Sequence, residues 1–131
     1  QVARAEKSGD PIVFLGWEPH PMNSNFKLTY LTGGDDVFGP NLGGATIYTN
    51  VRAGYLQECP NVGTFLKNLQ FTLPMENEIM GKILNDGAEG EAAATEWLKA
   101  NPSVIEPWLA GVKTKDGSAD ALPAAKKSLG L

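Results

Sequence analysis

A short apolar run bounded by proline and glycine constrains the first part of this chain. Ile12-Val13-Phe14-Leu15 lies between Pro11 and Gly16 and contains two β-branched residues. A continuously apolar run of this length is typical of a strand that is buried on both faces, as in a parallel sheet. The run therefore predicts an α/β fold in which this strand is internal.

The remaining pattern predicts a few strands followed by several helices. Segments 27–32 and 45–51 are predicted as strands, and 33–36 and 38–44 as the turn and loop between them. Three strands cannot form a complete sheet, so further strands are expected from a missing segment or a partner chain. Helices are predicted over 61–69 with Asn61 as its cap, from Pro74 to Asn85, over 90–100, over 103–109 with a Ser103–Glu106 capping box, and over 121–129.

Residues 1–9 resemble the end of an amphipathic helix rather than a natural N-terminus. The expectation is that the chain begins partway through a larger fold. Trp97 and Trp108 lie on the apolar stripes of their predicted helices, and both are interpreted as core residues.

The composition excludes several classes of function. The net charge is −4 and the basic residues are scattered, which argues against nucleic-acid binding. The chain has one cysteine and one histidine, too few for a Cys/His zinc site. Asp35-Asp36 is interpreted as a solvated turn, and no phosphate-binding loop or nucleophile elbow occurs. No catalytic residue, metal site or cofactor is predicted.

Trp17 is the strongest candidate for a ligand contact. It follows the predicted strand 12–15, at the end where open α/β sheets bind ligands, and Glu18-Pro19-His20-Pro21 restricts the backbone after it. A rigidly held indole suits a methylated ammonium, because the ring face attracts a cation that has no hydrogen to donate. A core position is the competing interpretation. Pro19 and His20 are predicted to support the turn.

The same residues resemble a known family. The segment FLGWEPHPMN, residues 14–23, is similar to the Trp-x-Pro-His segment of the glycine betaine/choline substrate-binding proteins of ABC importers. Residues 27–31 and 33–41, the segment TNVRAGY at 49–55 and the segment CPNVG at 59–63 extend the likeness. They look most similar to the choline-binding members from rhizobia and related bacteria. The likeness covers nearly all of the chain, but only the C-terminal portion of such a protein.

The resemblance implies a periplasmic protein of two α/β lobes (type II-like) that close on the ligand. Residues 1–22 would be the end of the second lobe and the crossover to the first lobe, and residues 23–131 the C-terminal part of the first lobe. Trp17 would be one wall of an aromatic box for choline. The implied partners are the membrane permease and the N-terminal part of the same protein.

The sequence allows more than one interpretation of Cys59 and of the ligand. Cys59 is either a buried thiol, which composition favours, or half of a disulfide, which secretion to the periplasm would favour; the expected bridge is to a cysteine near the missing N-terminus. The ligand is expected to be choline, because Pro21 stands where betaine-preferring members often carry an aromatic residue. A betaine-preferring binding protein, or a sensor or enzyme fragment with its active residues elsewhere, are the alternatives.

Overall fold

The computed structural model describes residues 1–131 and consists of short helices joined by irregular segments. The helices longer than one turn are α1 (Val2–Ser8), α6 (Pro60–Asn68), α7 (Leu73–Leu84), α8 (Gly90–Ala100) and α10 (Ala121–Leu129). Between them lie the single-turn elements α2 (Met22–Asn25), α3 (Asp35–Phe38), α4 (Pro40–Gly43), α5 (Tyr55–Glu58) and α9 (Ile105–Trp108), the last preceded by a 3-10 turn, Pro102–Val104. No helix is both long enough and apolar enough to cross a membrane.

The predicted strands 12–15, 27–32 and 45–51 do not form a sheet in this chain. All three segments lack strand pairing, and the β pairing in the structure is one isolated antiparallel bridge between Lys113 and Asp120. The prediction of strands is therefore wrong for these residues as they stand. A strand requires hydrogen bonds to a neighbouring strand, and these three segments do not supply one another with them.

The apolar side chains of the predicted strands are correspondingly exposed. Val13 is 81% exposed and Ile47 is 88% exposed, which is unusual for aliphatic residues. Residues 12–16 and 28–31, from the first two segments, together line a single groove of about 470 Å³. The rest of its lining consists of Gly34, Asp35, Phe38 and Leu42. An apolar surface of this kind is typical of a face that another element covers.

The buried core lies in the second half of the chain. Met75, Trp97 and Trp108 form its centre, and Phe65, Leu69, Ile79, Leu98 and Val104 pack around them. The structure thus confirms the predicted core positions of Trp97 and Trp108. Each indole N–H has a partner: Trp97 donates to Glu78 and Trp108 donates to the carbonyl of Gln70. Buried indoles usually need such an acceptor.

The predicted helices of this half are present, but two predicted caps are not. Asn61 is the second residue of α6 rather than its cap, because Pro60 occupies the first turn and Cys59 precedes it. The Ser103–Glu106 capping box is absent, and the Glu106 carboxylate instead accepts from Lys126 at 2.7 Å. Thr72, which the sequence prediction did not single out, caps α7 by accepting from the backbone N–H of Met75.

Candidate functional site

Trp17 lies in the turn between the unpaired segment 12–16 and helix α2. Its side chain is 54% exposed, so it is not a core residue within this chain. The imidazole of His20 packs edge-on against the indole, with ring centroids 5.2 Å apart and an interplanar angle of 69°. One edge of the indole is therefore supported, and much of its surface remains open to a ligand or another segment.

Pro19 and His20 form the backbone of this turn. The Glu18–Pro19 peptide bond is cis, and Pro19 is half-buried. The Nδ1 atom of His20 accepts a hydrogen bond of 3.1 Å from the backbone N–H of Met22. With Nδ1 an acceptor, the imidazole is tied to the start of α2, and its ring orientation toward Trp17 is fixed.

Asn23 bonds to the same turn from helix α2. Its Nδ2 group donates to the carbonyl of Trp17 at 2.9 Å and to the carbonyl of His20 at 3.0 Å. Its Oδ1 atom accepts from the hydroxyl of Tyr30 at 3.0 Å. Both donor hydrogens of the Asn23 amide are thus used on the backbone of the turn, and Tyr30 orients the amide.

Tyr30 remains a hydroxyl donor at ordinary pH. Partial burial and the negative charge of Glu18 raise the pKa of Tyr30 above its usual value of 10.0, and the hydrogen bond to Asn23 opposes this shift. A phenol with a raised pKa keeps its proton near neutrality, so the Tyr30–Asn23 bond is preserved.

Asn77 connects the turn to the helical half of the chain. It lies on α7, is 8% exposed, and its Oδ1 atom accepts from the backbone N–H of His20 at 2.8 Å. Sequence reasoning identified Trp17, Pro19 and His20 but missed Asn23, Tyr30 and Asn77. Asn77 interrupts the apolar face of α7, and that interruption was the available signal.

Cys59 lies apart from this turn, between α5 and α6. It is half-buried and is a free thiol in the structure. Just before it, the Arg52 guanidinium forms an ion pair with Glu58 and stacks 5.3 Å from the ring centroid of Tyr55. The hydrogen bond from Arg52 lowers the pKa of the Glu58 carboxyl below its usual value.

Comparison with known proteins defines the class of this chain. Residues 1–100 match the family model OpuAC, the substrate binding domain of ABC-type glycine betaine transport systems. The chain belongs to this family, which is a family of transport binding domains and not of enzymes. The resemblance found in the sequence is confirmed.

Two individual proteins show how similar the chain is to members of this family. The chain is 36% identical over 114 residues to the glycine betaine/carnitine transport binding protein GbuC of Listeria monocytogenes serotype 1/2a (strain 10403S). The aligned residues make up 87% of this chain and 37% of that protein. It is 75% identical to an ABC-transporter choline binding protein solved in complex with choline, with a TM-score of 0.78 over 98% of this chain and 44% of the other.

A second structure, of an ABC-transporter choline binding protein in an unliganded semi-closed conformation, is also 75% identical. It gives a TM-score of 0.72 over 99% of this chain and 45% of the other. The chain therefore spans less than half the length of these relatives.

Proposed function

We propose that residues 1–131 form part of the choline-binding component of an ABC importer, which delivers its ligand to a membrane permease. The observation that carries this proposal is the half-exposed indole of Trp17, in a turn held by three side chains. The 75% identity to a protein solved with choline supports the choice of ligand.

The chemistry of the turn fits a quaternary ammonium. Choline carries a permanent charge but has no N–H hydrogen, so a carboxylate or carbonyl cannot bind it through a hydrogen bond to nitrogen. The face of an indole attracts such a cation through its quadrupole, by about 1–2 kcal/mol when water is excluded. In this proposal Trp17 is one wall of the box, and Pro19 and His20 hold that wall in place.

One aromatic wall cannot account for useful affinity. A micromolar site needs about 8 kcal/mol, several times the contribution of one cation–π contact. The other walls and an anionic group would belong to the N-terminal part of the full-length protein. The isolated 131 residues are therefore expected to bind choline weakly.

The same N-terminal part would complete the fold. Its strands would pair with segments 12–15, 27–32 and 45–51 and cover their exposed apolar side chains. Residues 1–22 would end the second lobe, which agrees with the lack of any buried residue in α1, and residues 23–131 would belong to the first lobe. The two-lobed protein would close around the ligand.

Cys59 would be part of a disulfide in the full-length periplasmic protein. The thiol is half-buried and free in this chain, and it lies just before α6. An oxidising compartment would allow the bridge to form. Mass spectrometry of the non-reduced full-length protein should find Cys59 linked; a free Cys59 thiol would contradict the pairing.

Glycine betaine is the second candidate ligand. The matching family model and the Listeria relative are both described by glycine betaine. Betaine shares the trimethylammonium group but adds a carboxylate, so it would need a cationic or N–H donor partner that choline does not need. Pro21, buried beside the turn, offers no such donor.

Titration calorimetry with the full-length protein tests the proposal. Choline should bind at least tenfold more tightly than glycine betaine, and the isolated 131 residues should show no submicromolar binding. Tighter betaine binding would favour the second candidate. Full-length protein that binds neither compound would overturn the proposal.

A further inference from the structure

We propose that Asn77 is a positioning residue for Trp17, acting through the backbone of His20, and that Asn23 holds the same turn from its other side. This inference rests on the proposed role of Trp17 in binding a quaternary ammonium. It assigns part of the ligand affinity to a residue on helix α7 whose bond to the turn is made to the backbone of His20 and not to the indole.

The environment of Asn77 indicates a specific task. The side chain is 8% exposed, and it points to a different side of α7 from the core residue Met75, two positions earlier. Burying an amide is costly unless it is hydrogen-bonded, and an apolar residue would pack there at no such cost. The hydrogen bond that Asn77 accepts comes from the backbone N–H of His20, at 2.8 Å and 57 residues away in sequence.

Asn23 fixes the opposite side of the turn. Its amide donates to the carbonyls of Trp17 and His20, so the two ends of the Trp17–His20 segment share one donor group. Asn77 accepts a hydrogen bond from the N–H of His20, and Asn23 donates one to its carbonyl. Both polar groups of the His20 backbone are therefore hydrogen-bonded. The backbone of His20 therefore has little freedom to rotate.

The position of His20 determines the position of the indole. The edge-on contact with the imidazole is the aromatic contact that Trp17 makes in this structure, and the rest of the indole is largely open. A cation–π contact depends on the ring face lying within about 6 Å of the cation. Loss of the Asn77 bond would make the turn more mobile, and the free energy of ordering the turn would then be subtracted from the free energy of choline binding.

Substitutions in the full-length protein separate positioning from general stability. Asn77→Leu keeps the size of the side chain but removes the acceptor, whereas Asn77→Asp keeps an acceptor oxygen. Calorimetry with choline should show about a five- to tenfold loss of affinity for Asn77→Leu, no larger than the loss for Trp17→Ala, and a loss within about threefold for Asn77→Asp. Asn23→Ala makes the same test at a less buried position, and its expected loss is about fivefold.

A matched control lies at the other end of α7. Asn85 and Asn25 exchange amide hydrogen bonds of 3.3 and 3.4 Å between α7 and α2, without contacting the Trp17 turn. Asn85→Ala should leave choline affinity unchanged, although it removes both of these hydrogen bonds to α2, the helix that follows the turn. An equal loss in Asn85→Ala and Asn77→Leu would overturn the proposal, because the effect would then be general.

A double-mutant cycle with Trp17→Ala gives the decisive result. If Asn77 and Asn23 act through the indole, Asn77→Leu and Asn23→Ala should change choline affinity less than twofold once Trp17 is absent. The same fold-loss in both backgrounds, or no loss from either substitution in the presence of Trp17, would overturn the proposal. If Trp17→Ala itself binds choline as tightly as the unchanged protein, the proposed role of Trp17 fails instead, and the cycle shows this separately.

Discussion

The indole N–H of Trp97 donates a hydrogen bond of 2.5 Å to the carboxylate of Glu78, joining helix α8 to helix α7 at the edge of the core. Trp97 is buried while Glu78 is exposed, so a charged acceptor in contact with water satisfies the polar atom of a core side chain. The arrangement allows a large aromatic residue to fill the space between two helices without leaving its N–H unpaired.

Replacing Trp97 by phenylalanine should lower the free energy of unfolding by about 2 kcal/mol, because a hydrogen bond to a charged group and part of the packed volume are lost. Urea denaturation of the full-length protein measures this. Glu78→Gln keeps an acceptor oxygen and should cost less than about 1 kcal/mol. Equal losses in the two variants would show that the indole packing is not the larger contribution.

Asn61 connects helix α6 to the segment after α9 by two hydrogen bonds. Its Oδ1 atom accepts from the N–H of Lys113 at 2.8 Å, and its Nδ2 group donates to the carbonyl of Lys113 at 2.9 Å. The side-chain amide thus pairs with one residue's backbone as a neighbouring strand would, and it fixes the chain next to the buried Val112.

Asn61→Ala should therefore lower the free energy of unfolding by about 1–2 kcal/mol, since two partly exposed hydrogen bonds are lost. Asn61→Asp retains the acceptor oxygen, so its free energy of unfolding should lie between those of the unchanged protein and Asn61→Ala. Lys67→Ala, an exposed position on the same helix, is the control and should change stability by less than about 0.5 kcal/mol. An Asn61→Ala protein as stable as this control would contradict the prediction.

Asp116 organises the turn that the Lys113–Asp120 bridge closes. Its carboxylate accepts from the hydroxyls of Thr114 and Ser118 and from the backbone N–H of Ser118. These hydrogen bonds, with that from Thr114 the largest contribution, lower the pKa of Asp116 from 3.8 to about 2. The charged carboxylate is the form that the turn stabilises.

The sign of the pH dependence follows from this shift. Because the pKa is lower in the folded state, the stabilisation is present above about pH 4 and is lost as the pH falls toward 2. NMR titration of the Asp116 carboxyl should give a pKa of about 2. Removing the hydroxyls with Thr114→Val and Ser118→Ala should raise this pKa toward 3.8, whereas Thr114→Ser should not. An unchanged pKa in the double variant would contradict the assignment.

The helical half of the fold could be predicted from the sequence because its information is local. The apolar spacing in 61–69 and 90–100, with prolines near the helix ends, is sufficient to place α6 and α8 within a residue or two. The two cap predictions were wrong because a polar side chain bonds to whichever neighbour the tertiary packing brings near it. Asn61 accepts a hydrogen bond from Lys113, and Glu106 accepts one from Lys126.

The pairing of strands and the support of the Trp17 turn by Asn77 both depend on residues that are distant in the sequence. The run 12–15 has the composition of a buried strand, but a strand exists only when another strand pairs with it, and these residues do not provide one. Trp17 and His20 both lie in one proline-rich turn and could be identified from the local sequence. The bond from Asn77 to His20 spans 57 residues, and no spacing rule connects positions so far apart.

Trp17 provides the most direct test of the ligand chemistry. In the full-length protein, Trp17→Ala should weaken choline binding about 5–30-fold, which corresponds to the loss of one desolvated cation–π contact of about 1–2 kcal/mol. Trp17→Phe keeps an aromatic face with a weaker quadrupole and should lose less. Calorimetry at constant ionic strength measures both.

The matched control for this prediction is a change of ligand. In 3,3-dimethyl-1-butanol a carbon replaces the quaternary nitrogen of choline, so the shape is kept and the charge is removed. If Trp17 attracts the cation, Trp17→Ala should reduce the preference for choline over this neutral analogue. If the substitution weakens both ligands by the same factor, Trp17 contributes apolar packing and not recognition of charge.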